Sequence, residues 1–297
     1  MIAVRVYSGE VRQGLSGWDI NSDQELCSVD GTWLDSIPLV VGDNIRLTST
    51  DNGNDASYTI ARTHDDSGSQ YVRMGSPARD RLYDSNTTTP DTFGCEFIAS
   101  IPHQTSKSEA EADSRGELWE QTVSHPSHEF VATAPHAGDV EYNTGYQARK
   151  CHEYLANSSL WVCDSHGGVN GAFDRWHITS TDVSSSSYPG LTRLESVGYT
   201  AAVSFHGYSG DTVLVGGRAP DTVKQKIVDS LNELGGATAE VVGEGDSLSG
   251  TDTSNYVNQI TQSGDDGIQL EQPYSFRDNY AEESARRVAK VILQYYD

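Results

Sequence analysis

The chain has 297 residues, with 43 Asp and Glu against 20 Lys and Arg, a formal charge of −23, 36% hydrophobic and 9% aromatic residues. That length holds one large α/β domain or two ordinary ones, and the apolar and aromatic content is that of a globular protein despite the acid. The charge excludes nucleic acid as a partner, because a phosphate backbone selects a basic face, and no apolar run has signal-peptide or bilayer-spanning length, so a soluble protein without a membrane partner is expected.

The acid is spread along the chain and only five residues are lysine. This predicts a surface adapted to high salt, where a Debye length of about 3 Å screens the repulsion. The expected location is the cytoplasm until lysis, or a virus particle. Cys27, Cys95, Cys151 and Cys163 lack C-x-x-C spacing, which argues against a thiolate zinc cluster and leaves pairing of Cys27 with Cys95 open.

Residues 1–103 show short alternating runs, among them 44–48, 57–62 and 70–74, separated by turn clusters such as Asp51-Asn-Gly and Asp65-Asp-Ser-Gly. The pattern predicts a small all-β domain, a barrel or a sandwich. It carries no catalytic constellation, and attachment, for instance to a viral particle, or substrate binding is its expected task. Residues 104–116 turn polar and small, the composition of a linker or an exposed helix. From 117 to 297 apolar strands alternate with helical patterns, which predicts an α/β fold with a mixed open sheet flanked by helices. Strands are expected at 129–134, 160–163, 199–205, 212–215, 239–242 and 267–270, and helices at 143–155, 219–234 and 279–296. In the last helix Ala281, Ser284, Val288, Val291, Ile292 and Tyr295 share one face.

Three of these strands end in groups that bind metal or move protons: His136, His206 and Glu271. In an open α/β sheet the ligand crevice lies outside the carboxyl ends of the strands, so three distant stretches would deliver them to one place. In Ala134-Pro-His-Ala-Gly-Asp-Val-Glu, Gly138 allows a tight loop that returns Glu141 to His136. Two imidazoles and one carboxylate, with a fourth position open, are what a catalytic Zn2+ uses. Glu271 is then the group to take a proton from water and hand it to a leaving nitrogen. Taken singly, a strand-end histidine also caps backbone and a strand-end glutamate also forms ion pairs, so the grouping carries the reading.

At these residues the sequence resembles the poly-gamma-glutamate hydrolase family, phage and microbial enzymes with a zinc-carboxypeptidase-like fold, over about Glu117 to Asp297. The likeness rests on Ala134-Pro-His136 with Glu141 and Thr144-Gly145, on Phe173-Asp-Arg-Trp-His-Ile-Thr-Ser-Thr, on Phe205-His206-Gly with Val215-Gly-Gly, and on Gly267-Ile-Gln-Leu-Glu271 with Arg277. It implies one Zn2+ on His136, Glu141 and His206, with Glu271 as the catalytic glutamate. The sequence departs from the family at Ala137 and Asp139 and at Asp182-Val-Ser-Ser-Ser-Ser-Tyr-Pro. A polyglutamate site needs cations, and Arg277 first, then Arg175, are candidates to grip substrate carboxylates bidentately. Arg193 is read as balancing the acid, and His177 as a structural residue or one that orients substrate. The expected activity is zinc-dependent hydrolysis of gamma-glutamyl amides in an anionic polymer. A zinc carboxypeptidase or amidase acting on peptides, and a virion-associated binding protein with a hydrolase-like domain, are the alternatives.

Overall fold

The computed structural model describes residues 5–83, 88–99, 101, 108–167 and 171–296. The chain packs into two units, residues 1–118 with 166–189, and residues 119–165 with 190–297. A division at 104–116 leaves residues 166–189 with the second half, whereas by packing they group with the first. Residues 104–107 of that expected linker lie outside the described residues, and a helix covers Glu109–Arg115. Among the described residues no helix is long and apolar enough to cross a membrane.

In the first unit six strands, β1 (Val6–Gln13), β2 (Leu26–Asp30), β3 (Asn44–Ser49), β4 (Asp55–His64), β5 (Tyr71–Met74) and β6 (Thr92–Ile98), form a closed barrel in the order β1-β5-β2-β4-β3-β6. Antiparallel pairing of β1 with β6 closes it, which leaves no free sheet edge. Val11, Val29, Ile45, Leu47, Ile60 and Val72 fill its core. Cys27 and Cys95 lie in that core as free thiols, and burial pushes both well above the usual cysteine range.

Arg81 ties residues 166–189 to this barrel. Its guanidinium is buried and donates to the carbonyls of Gln24 at 3.0 Å, Ser57 at 2.6 Å and His177 at 3.1 Å, and also to that of Asp174. A buried charge is tolerated only when its hydrogen bonds are made, and here four carbonyl dipoles solvate it. Arg175 adds bonds to the Asp55 carboxylate and, at 2.7 Å, to the Gly116 carbonyl, with its guanidinium 4.3 Å from the Trp176 ring.

The second unit holds β7 (Leu118–Val123), β8 (Phe130–Gly138), β9 (Ser158–Ser165), β10 (Ala201–Tyr208), β11 (Thr212–Gly216), β12 (Thr238–Val241) and β13 (Gly267–Pro273), in the order β12-β11-β13-β10-β8-β9-β7. β9, β8, β10 and β13 run parallel, and β11 pairs antiparallel with β13, so the sheet is mixed. The central strands are buried almost throughout, as expected where helices cover both faces. Helices α1 (Thr144–Tyr154), α2 (Asp221–Asn232) and α3 (Tyr274–Tyr296) pack on the sheet, and Ala148, Ile227, Val288 and Ile292 join Val203, Phe205, Ile268 and Leu270 in one core. α3 is kinked at Tyr280, whose φ of −129° and ψ of 18° are not helical. This α/β fold with a strand-rich N-terminal barrel is the architecture expected from the sequence.

Replacing Arg81 by Met keeps most of the stem and removes the donors. The variant is expected to destabilise the first unit by about 3 kcal/mol, because buried carbonyls lose their partners. A denaturant midpoint unchanged from wild type would show that Arg81 does not hold this segment.

Candidate functional site

The parallel arrangement of β8, β10 and β13 brings their carboxyl ends to one edge of the sheet. His206 on β10 is the direct register partner of Glu271 on β13. On β8 the ladder with β9 shifts between Ala134 and Ala137, at Pro135 and His136. Pro135 has no N–H to give the ladder, and such an irregularity turns the side chain of His136 out of the regular pleat.

The loop after His136 works as its sequence implies. Gly138 has a φ of +76°, and a side chain there would meet the Ser165 backbone. The Glu141 N–H donates to the His136 carbonyl at 2.9 Å, and Thr144 closes the turn through its own N–H and hydroxyl, both donating to the Glu141 carbonyl. The Glu141 carboxylate is thereby returned to the histidines. Its Oε1 lies 3.1 Å from His136 Nδ1 and its Oε2 lies 3.5 Å from His206 Nδ1, while the two rings stand edge to face at 5.1 Å.

A relay of hydroxyls fixes the His206 ring. Thr133 Oγ1 donates to the Val203 carbonyl at 3.1 Å, and a carbonyl can only accept. With that proton committed, Thr133 Oγ1 accepts from the Tyr256 hydroxyl at 2.9 Å, Tyr256 accepts from Ser204 Oγ, and Ser204 accepts from His206 Nε2 at 2.8 Å. Burial holds the Tyr256 phenol well above its usual range, which keeps the proton this relay needs. His206 therefore donates from Nε2 to the relay, and its Nδ1 is the nitrogen turned to Glu141.

His206 Nδ1 lies 3.5 Å from Glu141 Oε2, a buried oxygen without a hydrogen-bond partner. A ring nitrogen and a carboxylate oxygen placed this way are held by a positive charge, either a second proton on the ring or a metal ion. Burial works against ionisation of Glu141, and the two imidazoles outweigh it and hold the carboxyl below the usual range. His136 and Glu141 are among the side chains close enough together to hold a metal ion, and His206 Nδ1 adjoins the second Glu141 oxygen, a donor set that suits a divalent metal.

Glu271 is buried and takes a hydrogen bond from Gln269 Nε2 at 2.9 Å, and Asn255, donating to Gln269 Oε1 at 2.7 Å, sets which end of that amide faces it. Burial, with the nearby Glu141 charge, pushes the Glu271 carboxyl well above the usual range, against Gln269 and Arg277. Arg277 is held by its Nε donating to the Gln272 carbonyl at 3.2 Å and its Nη1 donating to the Tyr142 carbonyl. A side chain at position 207 would overlap this guanidinium, so any residue larger than Gly207 there displaces Arg277 from its place.

His136, Glu141, His206, Glu271 and Arg277 thus share one neighbourhood of the second unit. Arg175 and His177 belong to the first unit. Arg175 makes the contacts described above, and His177 Nδ1 meets Glu25 Oε1 at 2.5 Å with its ring stacked on Phe173. Of the residues not anticipated from sequence, Ser204, Tyr256, Thr133 and Gln269 matter most. The available signal was a hydroxyl at each of the paired positions Thr133 and Ser204 inside otherwise apolar strands.

Two outcomes follow. Ser204→Ala frees the His206 ring and is expected to weaken divalent-metal affinity by about 10- to 100-fold, measured by competition with a chelator, with the fold intact by circular dichroism. Glu25 provides a pH test of the first unit. Burial alone raises its carboxyl, but bonds from His177 and Thr179 outweigh this and bring it from 4.5 to about 2. The folded value lies below the unfolded one, so about 3 kcal/mol of stability is complete above pH 4.5 and is lost as the pH falls towards 2. Glu25→Gln should flatten that acid limb in melts taken across this range.

The family model described as poly-gamma-glutamate hydrolase matches residues 105–295. A bacteriophage poly-gamma-glutamate hydrolase is similar at 26% identity and a TM-score of 0.48, over 60% of this chain and 89% of its own. YNDL in its zinc-free apo form is 19% identical with a TM-score of 0.45, over 62% and 93% of the two chains. A putative carboxypeptidase A from Shewanella denitrificans OS-217 is 10% identical with a TM-score of 0.37, over 97% and 84%. No curated protein matches. With the family model spanning well over half of its length, the chain belongs to the poly-gamma-glutamate hydrolase family and is a hydrolase.

Proposed function

We propose that the chain is a zinc-dependent amide hydrolase that cleaves gamma-glutamyl bonds of poly-gamma-glutamate or a closely related anionic polymer. The observation that carries this reading is the Glu141 carboxylate set between two imidazoles, Oε1 at 3.1 Å from His136 Nδ1 and Oε2 at 3.5 Å from His206 Nδ1, with Glu271 in register beside His206. His136, Glu141 and His206 are the residues to hold the ion. When bound, Zn2+ supplies Lewis acidity to the amide carbonyl and acidity to water.

The chain's own groups do the rest. Glu271, desolvated and held by Gln269, has the raised basicity of a carboxylate that accepts a proton from water and returns it to the leaving nitrogen. Gln269 fixes the carboxylate so that little reorganisation is needed during the transfer. Arg277 is the cation within reach of this pair, and it is proposed to take the substrate's free carboxylate as a bidentate partner. An anionic polymer is otherwise repelled by a chain of charge −23, so a fixed, buried guanidinium is where affinity is concentrated.

Glu271→Gln is expected to retain one zinc per chain and to lose turnover of gamma-linked oligoglutamates by about a thousandfold, whereas His136→Ala loses both metal and turnover. Metal analysis with one hydrolysis assay checks this, and a Glu271→Gln protein as fast as wild type ends the proposed mechanism. Product analysis with alpha- and gamma-linked oligoglutamates separates this activity from that of a general peptidase.

A further inference from the structure

The site has an outer margin that the proposed chemistry does not use. Tyr142 directly follows Glu141, and Tyr274 opens α3 directly after β13, three residues beyond Glu271. Their rings stack at 5.8 Å with planes 27° apart. They are 49% and 57% exposed, the two most exposed of the large apolar side chains described in this unit. Arg277 is 5% exposed, lies 5.9 Å from the Tyr274 ring and donates to the Tyr142 carbonyl. The order from inside outwards is therefore two carboxylates, a buried guanidinium and a pair of open aromatic faces.

We propose that Tyr142 and Tyr274 form a positioning subsite for the extended amide chain of the substrate, next to the residue whose carboxylate Arg277 holds. This rests on the function proposed above and adds where the rest of the polymer runs. Exposed rings leave apolar area in water, and a stack of two presents a rigid face at low entropic cost. A gamma-linked glutamate backbone carries three carbons between successive amides, and both methylenes and flat amides pack on ring faces. The negative ring faces turn carboxylates away, so the chain is expected to lie amide-side down with its acids towards solvent or Arg277. Neither hydroxyl is needed for this, since the contact is made by the faces.

The test compares Tyr142→Ala, Tyr274→Ala and both Tyr→Phe variants in the full-length zinc-loaded protein, on gamma-linked glutamate oligomers of two and of six residues. Each Ala variant should raise KM for the hexamer by about five- to tenfold with kcat within about twofold, and leave KM for the dimer unchanged, while the Phe variants behave as wild type. Titration of the hexamer into Glu271→Gln, with and without the Ala substitutions, reads the same loss without turnover. Equal effects on dimer and hexamer, or none on either, overturn the subsite. If wild type turns over neither oligomer, the gamma-glutamyl reading fails, and the titration still decides the rings: a loss of hexamer binding supports them, and no binding or no loss ends the proposal.

Discussion

A carboxylate pressed between two imidazole nitrogens, deep under the end of a parallel sheet, sets the terms for the rest of the second unit. The glycine at position 138 lets the chain double back, the break in the ladder at Pro135 turns His136 out of the pleat, and the hydroxyl relay under β10 commits the His206 proton to the far side of its ring. Each feature is mildly unfavourable or unremarkable alone. Together they concentrate electron density at a point that only a positive charge relieves. The β-ladders, the burial on both faces and the helices above and below supply the rigidity that prevents the three groups from relaxing apart.

The second carboxylate makes the arrangement chemical. Glu141 and Glu271 are buried near one another, and their environments push them in opposite directions, one held ionised by imidazoles and the other driven towards its neutral form. Paired acids separated in this way take different roles in many hydrolases, one holding charge and the other moving protons. Arg277 lies within the field of both, fixed by two carbonyls and by the absence of a side chain at Gly207.

Much of this was legible from residue order. Apolar runs ending in His136, His206 and Glu271 mark strand ends because strands buried on both faces stay largely apolar until they leave the core. The three large helices were visible from their periodicity, although α3 begins at Tyr274 rather than near residue 279, where the kink at Tyr280 breaks the pattern. β1, β2 and β6 were not visible. β1 carries Gly9 and Glu10 between its apolar positions, and β2 places Ser28 and Asp30 in a fully buried setting, so alternation fails there. The relay of Thr133, Ser204 and Tyr256 was equally hidden, since serine and threonine are ordinary strand residues and Tyr256 comes from a short helix fifty residues away. Arg175 and His177 were read from sequence as candidates with a structural alternative, and among the interactions described are those with Asp55, Gly116 and Glu25.

Arg81 has a consequence for how the molecule can be made. The segment it fastens to the barrel lies beyond β8 and β9 in the chain, so the first unit is not a continuous stretch of polypeptide. A ribosome releases the barrel strands, then three strands of the other sheet, and only afterwards the piece that completes the first body. The barrel's last backbone acceptors therefore arrive after the sheet that will bear the chemistry has begun to form. Assembly of the two bodies is interleaved in time, and a cut made between them at any single peptide bond leaves at least one of them unfinished.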